Sequence, residues 1–132
     1  MSVEYRGGMK FRTSVRGHYI DVDLPDDKGG EDSGPTPTEL CISSLGTCVG
    51  VYAIHYLKTA KFDTEGFSVD VDWEYSEDKK RIGDITITVS APKADLGPRK
   101  KALMAAMEKC LIHNTLKQAP EIKMEISGEW EA

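Results

Sequence analysis

Three cysteines, Cys41, Cys48 and Cys110, and three histidines, His18, His55 and His113, are the side chains of this 132-residue sequence best suited to chemistry near neutral pH. Two of the thiols stand in CISSLGTCVG, residues 41–50, inside an uncharged run from Leu40 to Leu57 that Lys58 ends. A thiol can attack a peroxide or disulfide as its thiolate, ligate a metal, or serve as a small buried hydrophobe. Cys41, Cys48 and His55 recur every seven residues, so on a helix they share nearly one stripe at steps of roughly 10 Å. Zinc needs its ligands at ~2.0–2.3 Å from one point. The spacing therefore excludes a metal shared by these three alone, and no Cys-x-x-Cys or His-x-x-x-His pair occurs, so no metal site is expected.

Cys48 differs from an ordinary core cysteine in its setting, with Gly46 and Gly50 two residues away on either side, each costing a helix ~1 kcal/mol relative to Ala. Small flanking residues let a backbone, a side chain or a substrate come close to the sulfur. Ser43 and Ser44 read as hydroxyls back-bonded to helix carbonyls, and no G-x-S-x-G elbow marks a serine nucleophile. His113, three residues after Cys110, is placed either to polarise that thiol or to cap helix carbonyls. Arg16 at a hairpin tip is a solvated turn residue unless the tip folds over a thiol, where a fixed cation favours thiolate.

These residues need elements to hold them. Val3 to Arg6, Met9 to Arg16 and His18 to Leu24 read as three strands joined by turns at Gly7-Gly8 and Arg16-Gly17, a β-meander. Pro25 to Pro35 is polar, acidic and glycine-rich, and is expected to be the most mobile loop. Thr36-Pro37-Thr38-Glu39 is a helix start, with Thr36 as cap, Pro37 at the first helical position and Glu39 completing a capping box. The helix runs to Lys58 or Lys61, a rod of roughly 35 Å. Phe67 to Tyr75 and Ile85 to Val89 alternate as a hairpin with one wet face. A second helix follows Gly97-Pro98, carrying Leu103, Met104, Met107, Cys110 and Leu111 on its inner face, and Ile122, Met124 and Ile126 form a last strand. The fold class is α+β in a single domain over residues 1–132.

The composition is 39% apolar and 30% charged with a net charge of -5, which fits a soluble globular protein and lacks the clustered basic excess a nucleic-acid binder needs. The N-terminal residues show no signal or transit pattern, and three cysteines are too few and too odd for a secreted disulfide framework. Free thiols in the cytoplasm are the expectation. The uncharged helix is too polar for a membrane span, with Ser43, Ser44, Thr47 and His55 in it, yet it has no charged face to give to water. The remaining elements cover only part of such a rod, so a second copy is expected to cover the rest in a homodimer.

The stretch GGEDSGPTPTELCISSLGTC, with CLIHNTL carrying Cys110 near the end of the second helix, resembles the OsmC/Ohr family of organic hydroperoxide reductases, and the likeness in element order spans nearly the whole chain. The resemblance implies an intertwined homodimer with two sites at the subunit interface, Cys48 as the peroxidatic thiol and Cys110 as the resolving one. It implies an organic hydroperoxide substrate, no cofactor, and an external dithiol reductant of lipoyl or thioredoxin type. In that family an Arg from the first hairpin region and a Glu near the central helix start hold the thiolate. Arg16 and Glu39 are the candidates here, although an ungapped alignment puts Thr38 at the Glu position. The competing reading is an OsmC-like dimeric small-molecule binding protein whose cysteines are inert core residues.

Overall fold

The computed structural model describes residues 1–128. The strongest local signal in the sequence is realised to the residue. Thr36 caps helix α1 (Pro37–Thr59): its Oγ1 accepts from the Glu39 amide at 3.1 Å and the Glu39 carboxylate accepts from the Thr36 amide at 2.9 Å, with Pro37 in the first turn. Ile42, Leu45, Gly46, Val49, Ala53 and Leu57 recur at helical spacing and form the buried stripe of α1. By length and apolarity α1 would suffice to cross a membrane, but that stripe packs on the second sheet and on the later helices as a core helix does.

Two antiparallel sheets flank this rod in the chain. The first is the expected meander, in the order β1 (Ser2–Tyr5), β2 (Phe11–Val15), β3 (His18–Val22). Val15 pairs with His18 across a two-residue turn in which both Arg16 (φ 49) and Gly17 (φ 81) are left-handed, the geometry that matches the twist of a hairpin. The second sheet is β4 (Ser68–Tyr75) against β5 (Ile82–Ser90). Its inner residues Ile85, Ile87 and Val89 pack on Leu45, Val49 and Cys110, while Phe67 and Ala91 join Ala53, Leu57 and Leu103 in a second core cluster. Met107 touches both clusters.

The loop expected to be most mobile is built around one carboxylate. Asp23, 1% exposed, accepts from the amides of Leu24 (2.8 Å), Glu31 (3.1 Å) and Ser33 (3.1 Å) and from the Ser33 hydroxyl (2.7 Å). The loop folds so tightly over its own stem that a Cβ at Gly30 would run into the Leu24 carbonyl, and one at Gly34 into that of Asp21.

Two expectations need correction. The second helix is two helices, α2 (Lys100–Met107) and α3 (Leu111–Lys117), with Cys110 at the break and Met104 and Leu111 exposed. Ile122, Met124 and Ile126 form no strand and are 75%, 92% and 86% exposed, since a ladder needs a partner strand and among the described residues none pairs with them. The long helix, as expected, is covered only in part by its own chain: Ser44, Thr47, Val51 and His55 form an uncharged face open to solvent. The meander likewise has at most fringe contacts with the helices and second sheet, and Val3, Tyr5, Tyr19 and Ile20 are exposed on it.

Candidate active site

Cys48 and Cys110, far apart in sequence, meet in the first core cluster. Cys48 is carried by the fourth turn of α1 and is half-buried. Cys110 is placed by the end of α2. Its amide still donates to Met107 O at 3.1 Å, but its own backbone (φ −54, ψ 128) leaves the helix, and its sulfur turns back to accept from the His113 amide at 3.4 Å. Cys110 is thus the N-cap of α3 and has no exposed surface. A sulfur occupies the place that Ser, Thr, Asp or Asn usually take.

The two thiols are electrostatically unequal. Burial pushes the Cys110 thiol up, and the adjacent Cys48 sulfur pushes it further. Burial works against the Cys48 thiolate too, but hydrogen bonds from the Cys110 thiol and from the amides of Ile112 and Leu111 outweigh it, so Cys48 lies below the usual cysteine range. The arrangement favours ionisation of Cys48 over Cys110, with the Cys110 thiol as donor to the Cys48 sulfur. The Cys48 thiolate can attack an electrophilic sulfur or oxygen and has a second thiol at hand.

The other sequence candidates are not at this pair. Glu39 is spent on the capping box, nine residues and ~13 Å along α1 from Cys48. Arg16 stands exposed at the tip of the free meander, and neither it nor Glu39 is among the groups acting on the Cys48 thiol. Cys41 is half-buried on the preceding turns of α1, with the Ser44 hydroxyl on its carbonyl at 2.6 Å. Thr47 back-bonds to the Ser43 carbonyl at 2.8 Å, and His18 and His55 are exposed. Among the described residues no three His, Cys, Asp or Glu side chains gather as metal ligands. The glycines beside Cys48 make room for the sheet: a Cβ at Gly46 would lie 2.9 Å from Val71 Cγ2, and one at Gly50 3.5 Å from Val69 Cγ2.

Sequence reasoning weighed the His113 ring and missed its amide, which holds the Cys110 sulfur. It also missed a cavity of about 290 Å³ beside the pair, between α1, β5 and α2. The cavity is walled by Val49, Val89, Leu103, Met104 and Met107, and His113 also lines it.

The sequence profile of the OsmC-like protein family matches residues 30–125. The chain belongs to the OsmC-like family. Solved structures share the fold of this OsmC-like protein at low identity. A Psychrobacter arcticus protein named for osmotic-stress induction and a detoxification response superposes with a TM-score of 0.77 at 19% identity, covering 86% of this chain and 85% of its own. An organic hydroperoxide resistance protein OsmC from Legionella pneumophila gives 0.66 at 17%, covering 89% and 88%. The organic hydroperoxide resistance protein OhrB of Bacillus subtilis gives 0.60 at 22%, covering 89% and 90%. No curated protein sequence matches the chain. The α+β architecture of the OsmC-like chain, helix between two antiparallel sheets, is therefore the OsmC/Ohr fold.

Proposed function

We propose that this OsmC-like protein is a cysteine-based peroxidase that reduces organic hydroperoxides to alcohols and works as a cytoplasmic homodimer. The packing of Cys48 against buried Cys110, with the Cys48 thiol lowered and the Cys110 thiol raised, carries the reading. The Cys48 thiolate attacks the distal peroxide oxygen, the O–O bond breaks, and the alkoxide leaves to take up a proton. Cys48 is then a sulfenic acid. Cys110 loses its proton to the departing hydroxyl and attacks the Cys48 sulfur, releasing water and forming a disulfide. An external dithiol of lipoyl or thioredoxin type restores both thiols, and no cofactor takes part. The apolar cavity favours an organic peroxide over hydrogen peroxide, since burying alkyl surface is worth ~25 cal/mol per Å².

The dimer reading is supported by three surfaces on one chain: the uncharged open face of α1, the unpacked meander, and the alternating exposed Ile122, Met124 and Ile126. A second copy would cover these, and in it the free hairpin tip carrying Arg16 has a thiol within the same assembly to serve.

The cavity also favours a second reading, a small-molecule binding protein with inert thiols. Thiol titration of the native protein before and after one equivalent of cumene hydroperoxide separates the two. The peroxidase loses two thiols per chain and the binding protein none.

A further inference from the structure

Cys110 poses a problem for turnover. A disulfide is reduced by a thiolate approaching one of its sulfurs, and Cys110 has no exposed surface. Of the two sulfurs it is nevertheless the better one to attack. The more acidic thiol leaves faster, and Cys48 is lowered where Cys110 is raised, so attack on Cys110 expels the better leaving group.

We propose that α3 is a redox-operated door: joining Cys110 to Cys48 removes the sulfur that caps α3, the helix opens, and a dithiol reductant attacks the Cys110 sulfur uncovered behind it. This rests on the thiol pair forming a disulfide, as the function above requires.

The door is held shut by sulfur. α3 is seven residues long, far below the length at which a helix stands alone in water, and it has no acidic residue in its first turn. Its N-terminal amides face the thiol pair: His113 donates to Cys110 at 3.4 Å, and Leu111 and Ile112 act on the Cys48 thiolate. Oxidation withdraws both acceptor sulfurs from these three amides together. The Cys110 side chain must turn toward α1 to bond, carrying its sulfur off the His113 amide, and the charge on Cys48 that Leu111 and Ile112 serve is gone. What remains to hold α3 is chiefly Ile112, packed beneath it, since Leu111 and Leu116 are exposed.

The space for the incoming reductant is on the same side. A cavity of about 280 Å³ separates α3 from β5, lined by Leu45, Ile85, Ile87, His113, Leu116 and Lys117. Its apolar walls suit a dithiol carried on a hydrocarbon arm. A reductant thiolate adds to Cys110 Sγ, the S–S bond breaks, and Cys48 leaves as thiolate. The second reductant thiol loses its proton and displaces Cys110 from the mixed disulfide, and the Cys110 thiolate takes up that proton. The dithiol is oxidised by two electrons and the protein disulfide is reduced by two.

The test uses the full chain with the disulfide formed by diamide, so that it does not depend on peroxidase activity. Hydrogen exchange followed by mass spectrometry should show the amides of 111–117 exchanging at least tenfold faster in the oxidised than in the reduced protein. Equal or slower exchange overturns the door, as does failure of diamide to join the two cysteines. In the second arm the oxidised protein is mixed with a limiting monothiol, 2-mercaptoethanol, while iodoacetamide captures whichever cysteine is released. The mercaptoethanol adduct is expected on Cys110 with Cys48 alkylated, and the reverse pattern overturns the direction of attack. If diamide forms the disulfide and opens α3 while hydroperoxides form none, the peroxidase reading fails and the door stands.

Discussion

The sulfur of Cys110 accepts from the His113 amide at 3.4 Å and faces the sulfur of Cys48 across the junction of α3 with α1. One atom is thus cap, hydrogen-bond donor and prospective disulfide partner, and this is what makes the two thiols unequal.

The first prediction follows from that inequality. Burial and the neighbouring sulfur raise Cys110, while the Cys110 thiol and the Ile112 and Leu111 amides lower Cys48. Across a pH series, brief iodoacetamide labelling read by mass spectrometry should modify Cys48 at lower pH than Cys110. Equal labelling, or Cys110 first, would remove the basis for Cys48 as nucleophile.

The roles separate by mutation because nucleophile and resolver fail differently. Cys48→Ser should abolish peroxide consumption, since a hydroxyl stays protonated where a thiolate is needed. Cys110→Ser should allow one turnover and stop at a sulfenic acid that a dimedone probe traps on Cys48. Cys41→Ser is the control and should keep multiple turnover with added dithiol. Wild-type rates in Cys48→Ser, or a trapped sulfenic acid on another cysteine, would refute the assignment.

How much of this was legible in the sequence depends on how local the cause is. The Thr36–Glu39 box lies within four residues, and it fixed the start of α1 correctly. The break at Cys110 was hidden because a sulfur cap has no place among the usual cap residues, and Leu103, Met107 and Cys110 read smoothly as one helical face. Asp23 was hidden because one buried carboxylate in an acidic, glycine-rich stretch has no local signature. The alternation at Ile122, Met124 and Ile126 is a demand for a strand partner, which a sequence can voice and a single chain need not meet. Glu39 was chosen for its place near the helix start, and the same place commits it to capping.

Asp23 makes the loop before α1 acid-sensitive. The Ser33 hydroxyl, with the Ser33, Leu24 and Glu31 amides, outweighs burial and holds its carboxyl at about 2, below the ordinary 3.8 of an aspartate. A carboxyl lowered on folding contributes stability that is complete above ~4 and is lost as pH falls through ~4 toward ~2. Denaturant titrations between pH 7 and pH 2 should show wild type losing stability over that window. Asp23→Asn should be less stable at pH 7 and show a flatter acid limb; parallel curves for the two proteins would contradict the clamp.

Gly46 and Gly50 should respond oppositely to alanine although both sit in α1 beside Cys48. Alanine at either gains ~1 kcal/mol of helix propensity. At Gly50 the new Cβ meets Val69 Cγ2 at an ordinary 3.5 Å, so Gly50→Ala should stabilise by up to about 1 kcal/mol. At Gly46 it would stand 2.9 Å from Val71 Cγ2, a β-branched side chain fixed in β4 with little freedom to turn away, so Gly46→Ala should be neutral or destabilising. Urea denaturation of the two variants decides it, and a Gly46→Ala variant more stable than Gly50→Ala would mean that β4 does not press on α1 as described.

The open face of α1 carries the last prediction. Ser44, Thr47, Val51 and His55 follow one another at helical spacing, all exposed in the single chain and none of them an acid, a lysine or an arginine. A helix that gives such a face to water gains nothing from it, whereas two copies packed face to face would bury Val51, 66% exposed here, and let the small Ser44 and Thr47 bring the helices close, their hydroxyls already satisfied by carbonyls of their own helix. Sedimentation at micromolar concentration should therefore give about twice the chain mass. Val51→Glu would set two carboxylates into that contact, whose burial unpaired is strongly unfavourable, and should shift the protein to monomer, whereas a glutamate at exposed Lys101 on α2 should leave the dimer intact. A folded wild-type monomer, or a Val51→Glu protein that stays dimeric, would show that the uncharged face of α1 is not where two copies meet.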